Sequence, residues 1–453
     1  MKRGLVVRGI ILVGATPGIA LTSAAGNAAY AERASSGEEK DIPRAFRVLD
    51  SAPDESRVAV LDAEFPSIRR NARNDGWVGT LDGLSPEQVL DLHTISRTQK
   101  IDSATALAQM KREQACDGAV SHVRTAFLDR YVSARLTAAK AQIFVTGARS
   151  DIEAAVAARS NPIFIEVVGG YQLSHQEVLD EHRQIGEALD EGGIQEFTSE
   201  VKPITSEVVV ASSDPKKSED ILSGRQRSQA VSPLSIRHEV LQEHPDSGPD
   251  SLLRGGAHLE NCTSGFVLRG IAGGTKRLGT AAHCGYEYDR RAYRSRDEST
   301  STEVQYLWTH FGENGDIAYT SPGTYTPYPS FYAGVNEVRA VRKVTNNFYE
   351  GRALCRFGKE SGNSCGTARG IFLSRKAKDD ERYPGVTAHN LASVRGATGI
   401  DGDSGGPFYA PHDESAAAGI YSGKWTCWAT TVTCAQFTPV SAYHQYGLEV
   451  WTL

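Results

Sequence analysis

Residues 266–284 read FVLRGIAGGTKRLGTAAHC. Two short apolar runs, Phe266–Arg269 and Arg277–Thr280, flank Gly273-Gly274, which is the pattern of a β-hairpin. The second run leads into Thr280-Ala281-Ala282-His283-Cys284, setting an imidazole beside a thiol at a strand end. From residue 251 onward, similar short runs alternate with Gly, Asn, Ser and Pro clusters; they include Glu303–Trp308, Val338–Val344, Ile371–Leu373 and Leu448–Trp451. Many short strands at close spacing imply a sandwich or barrels, so residues 251–453 are expected to form an all-β domain.

A second motif stands far downstream: Gly402-Asp403-Ser404-Gly405-Gly406-Pro407. Taken alone, such a string is a surface turn, a single buried His is structural, and Asp316 in Gly315-Asp316-Ile317-Ala318 is unremarkable. In the order His, Asp, Ser, each near an expected strand end, they make a chemical set. A serine hydroxyl needs an imidazole to take its proton, and the imidazole needs a buried carboxylate to hold its tautomer and its charged form. Glycines around the serine let the N–H groups of Gly402 and Ser404 converge on a developing oxyanion.

The rest of the composition bounds the reading. The chain has 453 residues, 40% hydrophobic and 23% charged, as in a globular protein. Its net charge of −6 gives no support to a nucleic-acid binder, whose domain is usually basic. The acid lies in the first 250 residues, with 28 basic against 36 acidic, while the remainder has 21 against 19. Six of the seven cysteines (Cys262, Cys284, Cys355, Cys365, Cys427 and Cys434) fall after residue 251, which suggests three disulfides and an oxidising compartment. Fifteen pairings of six cysteines are possible. No Cys-x-x-Cys or His-x-x-x-His spacing occurs among them, so a zinc site is not expected.

These motifs resemble the chymotrypsin-like serine proteases, in particular the short secreted bacterial branch that includes the streptogrisins and alpha-lytic protease. The likeness covers roughly residues 251–453 and rests on Thr280–Cys284, Gly315–Ala318, Cys355-Arg356-x-Gly358 with Cys365-Gly366, and Gly402–Pro407. The separations, 33 residues from His283 to Asp316 and 88 from there to Ser404, resemble that compact branch. The resemblance implies two packed six-stranded antiparallel β-barrels with the site in the cleft between them. It implies His283 as general base, Asp316 as its orienting carboxylate, and Ser404 as nucleophile. It pairs Cys262 with Cys284 and Cys355 with Cys365, leaving Cys427 and Cys434 for each other. Relatives commonly carry a cysteine shortly before the Gly-Asp-Ser motif, where this chain has Gly399-Ile400-Asp401. The bacterial branch pairs an internal arginine with the aspartate before the nucleophile, so the resemblance implies an ion pair between Arg356 and Asp403. Thr398 stands where tryptic relatives place an aspartate, so no preference for Arg or Lys is implied. Ser422-Gly423-Lys424 resembles the strand that pairs with the substrate backbone, with Lys424 where relatives often have glycine. Relatives mature a short distance before their first cysteine, about at Leu252–Gly255 here; self-cleavage after Leu252 or Leu253 would imply an apolar preference.

The first half reads differently. Lys2, Arg3 and Arg8, the mostly apolar stretch Gly9 to Ala25, and Ala29-Tyr30-Ala31 are the parts of a secretory signal peptide spanning residues 1–31. Pro17 and three glycines make that stretch a poor membrane span, and no later run of about 18 apolar residues follows. Residues 32–210 form an acidic α+β region. Helix starts are expected at Ser85-Pro86-Glu87-Gln88 and at Ser174 with Glu177, where Leu173 can staple onto Val178. Strands are expected at Ile143–Val145 and Ile163–Val168, with a short helix at Asp151–Arg159 between them. Residues 211–250, polar and broken by Pro and Gly, read as an exposed linker open to processing. Cys116 reads as a buried apolar residue. In the resembling branch a long pro-region assists folding and then inhibits. The expectation is therefore a secreted, monomeric serine endopeptidase made as a zymogen. It would act on proteins or peptides and bind its own pro-region, with no metal, cofactor, nucleic acid or membrane after signal cleavage. The rivals are a non-catalytic binding protein of the same fold and an esterase-like acyl hydrolase.

Overall fold

Local capping sets the helices of the first half. The computed structural model describes residues 41–453 apart from 53–56, 66, 72–75, 138–139, 159–164, 195–196, 213, 229–234, 238–252, 275, 295–300, 336, 377–382, 384 and 427–432. The expected signal peptide therefore lies outside the described residues, as do Cys427 and most of 229–252. Helices α1 (Asp41–Ser51) and α2 (Arg57–Glu64) and a small hairpin, β1 (Arg69–Asn71) and β2 (Gly76–Val78), lead to α3 (Pro86–Gln99). Ser85 and Gln88 close a reciprocal capping box there, with Pro86 in the first turn, where a missing N–H costs nothing. Helix α4 (Ser103–Ala126) is capped by Asp102. It packs on the sheet of β3 (Tyr131–Leu136), β4 (Ala141–Thr146) and β5 (Ile165–Tyr171), with α5 (Ser150–Ala157) crossing between the last two. Helix α6 (His175–Glu191) has the second capping box, Ser174 with Glu177, and Leu173 and Val178 share one apolar cluster.

The expected linker is partly ordered. Strands β6 (Phe197–Lys202) and β7 (Glu207–Ser212) are followed by helix α7 (Pro215–Ser228) and strand β8 (Ser235–Arg237). Asp214-Pro215, which the sequence reading assigns to a connector, is a helix start. The Asp214 carboxylate accepts from the Lys217 N–H at 3.0 Å, and Leu222 is buried. Proline at a helix entrance was legible as a start as readily as a break.

Among the described residues the second half is antiparallel β, save the pairing of its first strand with residues 327–331 and the bridge between Val344 and Ala417, both parallel. Its strands are β9 (Leu253–Gly255), β10 (His258–Leu259), β11 (Cys262–Thr263), β12 (Val267–Gly270), β13 (Arg277–Thr280), β14 (Arg290–Arg294), β15 (Ser301–Gly312), β16 (Gly315–Thr320), β17 (Pro327–Gly334) and β18 (Glu337–Ala340). They continue as β19 (Ala353–Gly358), β20 (Gly362–Lys376), β21 (Thr387–Arg395), β22 (Pro407–Ala410), β23 (Ala416–Thr426), β24 (Thr433–Pro439) and β25 (Leu448–Val450). One sheet runs β11-β10-β14-β15-β16-β13-β12-β25, and among the described residues its two end strands do not pair. In the other, β19-β22-β23-β24-β21-β20 closes on itself because β19 also pairs with β20. The expected pair of six-stranded units thus reads instead as one closed six-stranded ring, one open sheet of eight strands, and a separate sheet β18-β17-β9. The first half adds to the ring: β6 pairs with β20, Phe197–Glu200 facing Lys376–Leu373, and β7 and β8 follow outward. Residues Lys40–Leu453 form one unit, and the main apolar cluster takes Ile95 and Val209 from the first half into the core of the second.

Candidate active site

Strand β13 delivers His283. Beyond Thr280 the chain enters a short 3-10 turn, Ala282–Cys284, with Ala281 and Ala282 fully buried. Cys284 is bonded to Cys262, and one imidazole nitrogen of His283 lies within 4.8 Å of both sulfurs. The Tyr443 hydroxyl, whose ionisation burial pushes far out of reach, sits 3.2 Å from the Thr280 carbonyl and 2.9 Å from that of Ala318. It therefore pins β13 to β16, three residues before His283 on one side and two residues after Asp316 on the other.

Asp316 is 1% exposed and faces His283 twice. Its Oδ2 lies 2.6 Å from Nδ1 of the ring, and its Oδ1 accepts the His283 backbone N–H at 3.1 Å. A carboxylate on Nδ1 holds the proton there, which makes Nε2 the accepting nitrogen of the ring. Thr438 anchors the other end: its Oγ1 accepts the Asp316 N–H at 2.9 Å, and Ser422 Oγ stands 3.3 Å from it. Gly315 must be glycine, with φ of +95° and an added Cβ 2.4 Å from Thr438 Cγ2.

The Ser404 turn is held from beneath. The Ser404 carbonyl accepts the Thr263 N–H at 2.7 Å, and the Gly402 carbonyl accepts the Thr263 hydroxyl at 2.5 Å. Thr263 follows Cys262, whose bridge reaches Cys284, so the hydrogen bonds that hold the serine turn end beside the disulfide that holds the histidine turn. Within the turn, the N–H groups of Asp403, Gly405 and Gly406 donate to Ile400, Tyr421 and Asp403 carbonyls respectively. Among the described residues, those of Gly402 and Ser404 donate to none. Gly405, at φ of +88°, has no room for a Cβ, which would lie 2.2 Å from the Thr263 carbonyl and the Thr280 hydroxyl.

Asp403 is fully buried, as is Arg356, and the two meet at 3.1 Å. The carboxylate also accepts the N–H groups of Ile400, Glu360 and Ser361 at 2.9, 3.1 and 3.2 Å and the Ser361 hydroxyl at 2.5 Å. A buried carboxylate stays in place when its charge and lone pairs are answered together in this way. Arg356 uses its Nε on the Thr398 carbonyl at 2.5 Å, so one guanidinium ties the serine turn to the segment before it. Thr398 itself is exposed, its N–H donating to Ser364 Oγ at 2.9 Å.

Ser422, Gly423 and Lys424 lie on β23, beside the serine turn. Tyr421 exchanges backbone bonds with Gly405 and Gly406, and a register shift between Tyr421 and Gly423 drops Ser422 from the pairing with β24. Cys355 is bonded to Cys365, and Cys434 is also disulfide-bonded; its expected partner, Cys427, lies outside the described residues. Cys116 is a buried free thiol, and burial pushes its ionisation up. The sequence reading missed Thr263, Ser361 and Thr438. Each is an ordinary hydroxyl whose bond to Gly402, Asp403 or Asp316 spans more than 35 residues, so no local pattern marks that bond.

Solved structures similar to this chain include protease A of Thermobifida fusca, at 23% identity over 45% of this chain and 100% of that one, TM-score 0.36. A Cellulomonas bogoriensis chymotrypsin matches at 23% over 44% and 99%, TM-score 0.34, and a Nocardiopsis protease at 21% over 45% and 100%, TM-score 0.36. No family model matches the chain, and no curated protein does.

Proposed function

We propose that residues 253–453 form a chymotrypsin-like serine endopeptidase, exported as a precursor whose first half is its pro-region. The observation that carries this reading is the buried Asp316 carboxylate 2.6 Å from His283 Nδ1, with the Ser404 turn hydrogen-bonded to Thr263 beside the Cys262–Cys284 disulfide. In the reading, Ser404 Oγ attacks the scissile carbonyl while Nε2 of His283 takes its proton, and Asp316 stabilises the imidazolium. The oxyanion takes the Gly402 and Ser404 N–H groups, the two that the turn leaves unused. His283 then protonates the leaving amine, and water repeats the cycle on the acyl-enzyme. The two sheets act as the two walls of a substrate cleft, corresponding to the two barrels of the family.

Pairing of β6 with β20 supports the pro-region role, since it would template part of a slow-folding β ring. Strand β9, Leu253–Gly255, is buried and pairs with β17. Processing therefore falls before Leu253, and a terminus after Leu252 would support an apolar preference.

The test is to incubate the exported protein with a fluorophosphonate and with denatured casein, and to read the labelled residue and the new termini by mass spectrometry. Labelling at Ser404 with casein cleavage supports an endopeptidase. Labelling with hydrolysis of p-nitrophenyl acetate alone supports an esterase, and no labelling of the processed chain supports a binding protein.

A further inference from the structure

The carbonyl of Ser422 lies beside the serine turn, where the register shift drops Ser422 from the pairing with β24, and it is occupied. Arg375, near the end of β20, donates from Nη1 to it at 3.1 Å, and the same nitrogen lies 2.7 Å from where a Cβ on Gly423 would be. An extended chain laid against an unpaired strand edge needs such carbonyls for its N–H groups. Arg375 therefore stands where a peptide backbone would bind.

The strands that carry Arg375 span the site from one sheet to the other. Tyr383 stacks on Phe311, with ring centroids 5.1 Å apart and planes 10° apart, and its hydroxyl reaches the Ala282 carbonyl, next to His283, at 3.4 Å. Asn390 on β21 donates to the Glu313 carbonyl at 2.8 Å, three residues before Asp316. On their outer side the same strands are held by the first half. Leu373, Ser374, Arg375 and Lys376 all pair with β6. Asp190 on α6 takes Lys376 by an ion pair and the Thr387 hydroxyl at 2.6 Å. Gly186 lies so close to His389 that a Cβ would fall 2.5 Å from its ring.

We propose that Arg375 is an internal latch: while the first half is docked, β20 and β21 hold its guanidinium on the Ser422 carbonyl and keep peptide substrates off that edge. Loss of β6 and Asp190 frees the strands and opens the edge. The proposal concerns regulation of the same site and rests on the serine-hydrolase reading.

The experiment compares intact full-length wild type, Arg375→Ala and Arg375→Gln, their length verified by mass. Each is assayed for fluorophosphonate labelling of Ser404, which does not use the β23 edge, and for hydrolysis of a tetrapeptide p-nitroanilide, which does. The latch predicts labelling within about twofold of wild type and a peptide kcat/KM raised about tenfold, through KM, as expected for removing one charge-assisted hydrogen bond that substrate must displace. After processing, the difference between variant and wild type should shrink to under about twofold. Unchanged peptide kcat/KM in intact variants that still label would overturn the latch. So would loss of labelling in both variants, because Arg375 would then build the site rather than block it. Failure of processed wild type to label would instead remove the hydrolase reading beneath it.

Discussion

The site and the junction between the halves both bury charge, but they draw it from different places. At the site, Asp316, Arg356 and Asp403 all come from the second half and answer one another or nearby dipoles. At the junction the acids come mostly from the first half: Asp91, Glu113, Asp117, Asp190 and Glu200. Their partners, Arg339, His412, Arg352, Lys376 and Arg369, belong to the second half. This is where the acidic excess of the first 250 residues is used. The site is electrostatically complete within one half, whereas the junction is complete only while both are docked. The proposed removal of the first half would take these acids away and leave their partners on the second half.

The sharpest break between the two comes from Ser404→Ala. Peptide hydrolysis should fall about 10⁵–10⁶-fold while the urea midpoint of the precursor stays put. Arg356→Ala should cost about 3–5 kcal/mol in urea unfolding of precursor and processed domain alike, because it strands a buried Asp403. Arg339→Met should separate them. It orphans Asp91 of the first half and Glu337 of the second and should cost the precursor about 3 kcal/mol, whereas the processed domain, in which only Glu337 is stranded, should lose less.

Acid should weaken the junction by a smaller amount. Burial, with His389 nearby, lowers the His182 pKa to about 3, and His389 is lowered too, chiefly by burial. A depressed histidine binds fewer protons folded than unfolded. Its stability is therefore present above about 6.5 and is lost as pH falls towards 3. Precursor stability should drop by about 2 kcal/mol between pH 7 and pH 5 on account of His182, and His182→Gln should flatten that limb. Least of all, Arg290→Ala breaks an exposed pair with Glu303 on β14 and β15, and the urea midpoint should move by less than about 0.5 kcal/mol.

Legibility followed range. Ser85 with Gln88 and Ser174 with Glu177 announced their helices because each cap is made by residues three apart. The glycines of Gly402–Pro407 were legible as a demand for tight backbone, and the structure adds the reason, the Thr263 carbonyl and Thr280 hydroxyl against Gly405. The helix at Pro215–Ser228 was missed because Asp-Pro-Lys-Lys serves a turn and a helix entrance equally well until Leu222 finds an apolar wall. Nothing in Arg375 distinguishes it from a surface arginine, and nothing in β6 names β20 as its neighbour.

Sequence alone determined the two helices with capping boxes, the β character of the second half, and the motifs that carry His283, Asp316 and Ser404. Those follow from short-range rules and from side-chain chemistry that only a few residue types possess. Tertiary structure alone decided which hydroxyls brace the serine turn, where the first half's acids are spent, and that an arginine covers Ser422. Such matters turn on desolvation and strand-edge pairing between segments far apart in the chain, and a carbonyl's partner is known only once its surroundings have excluded water.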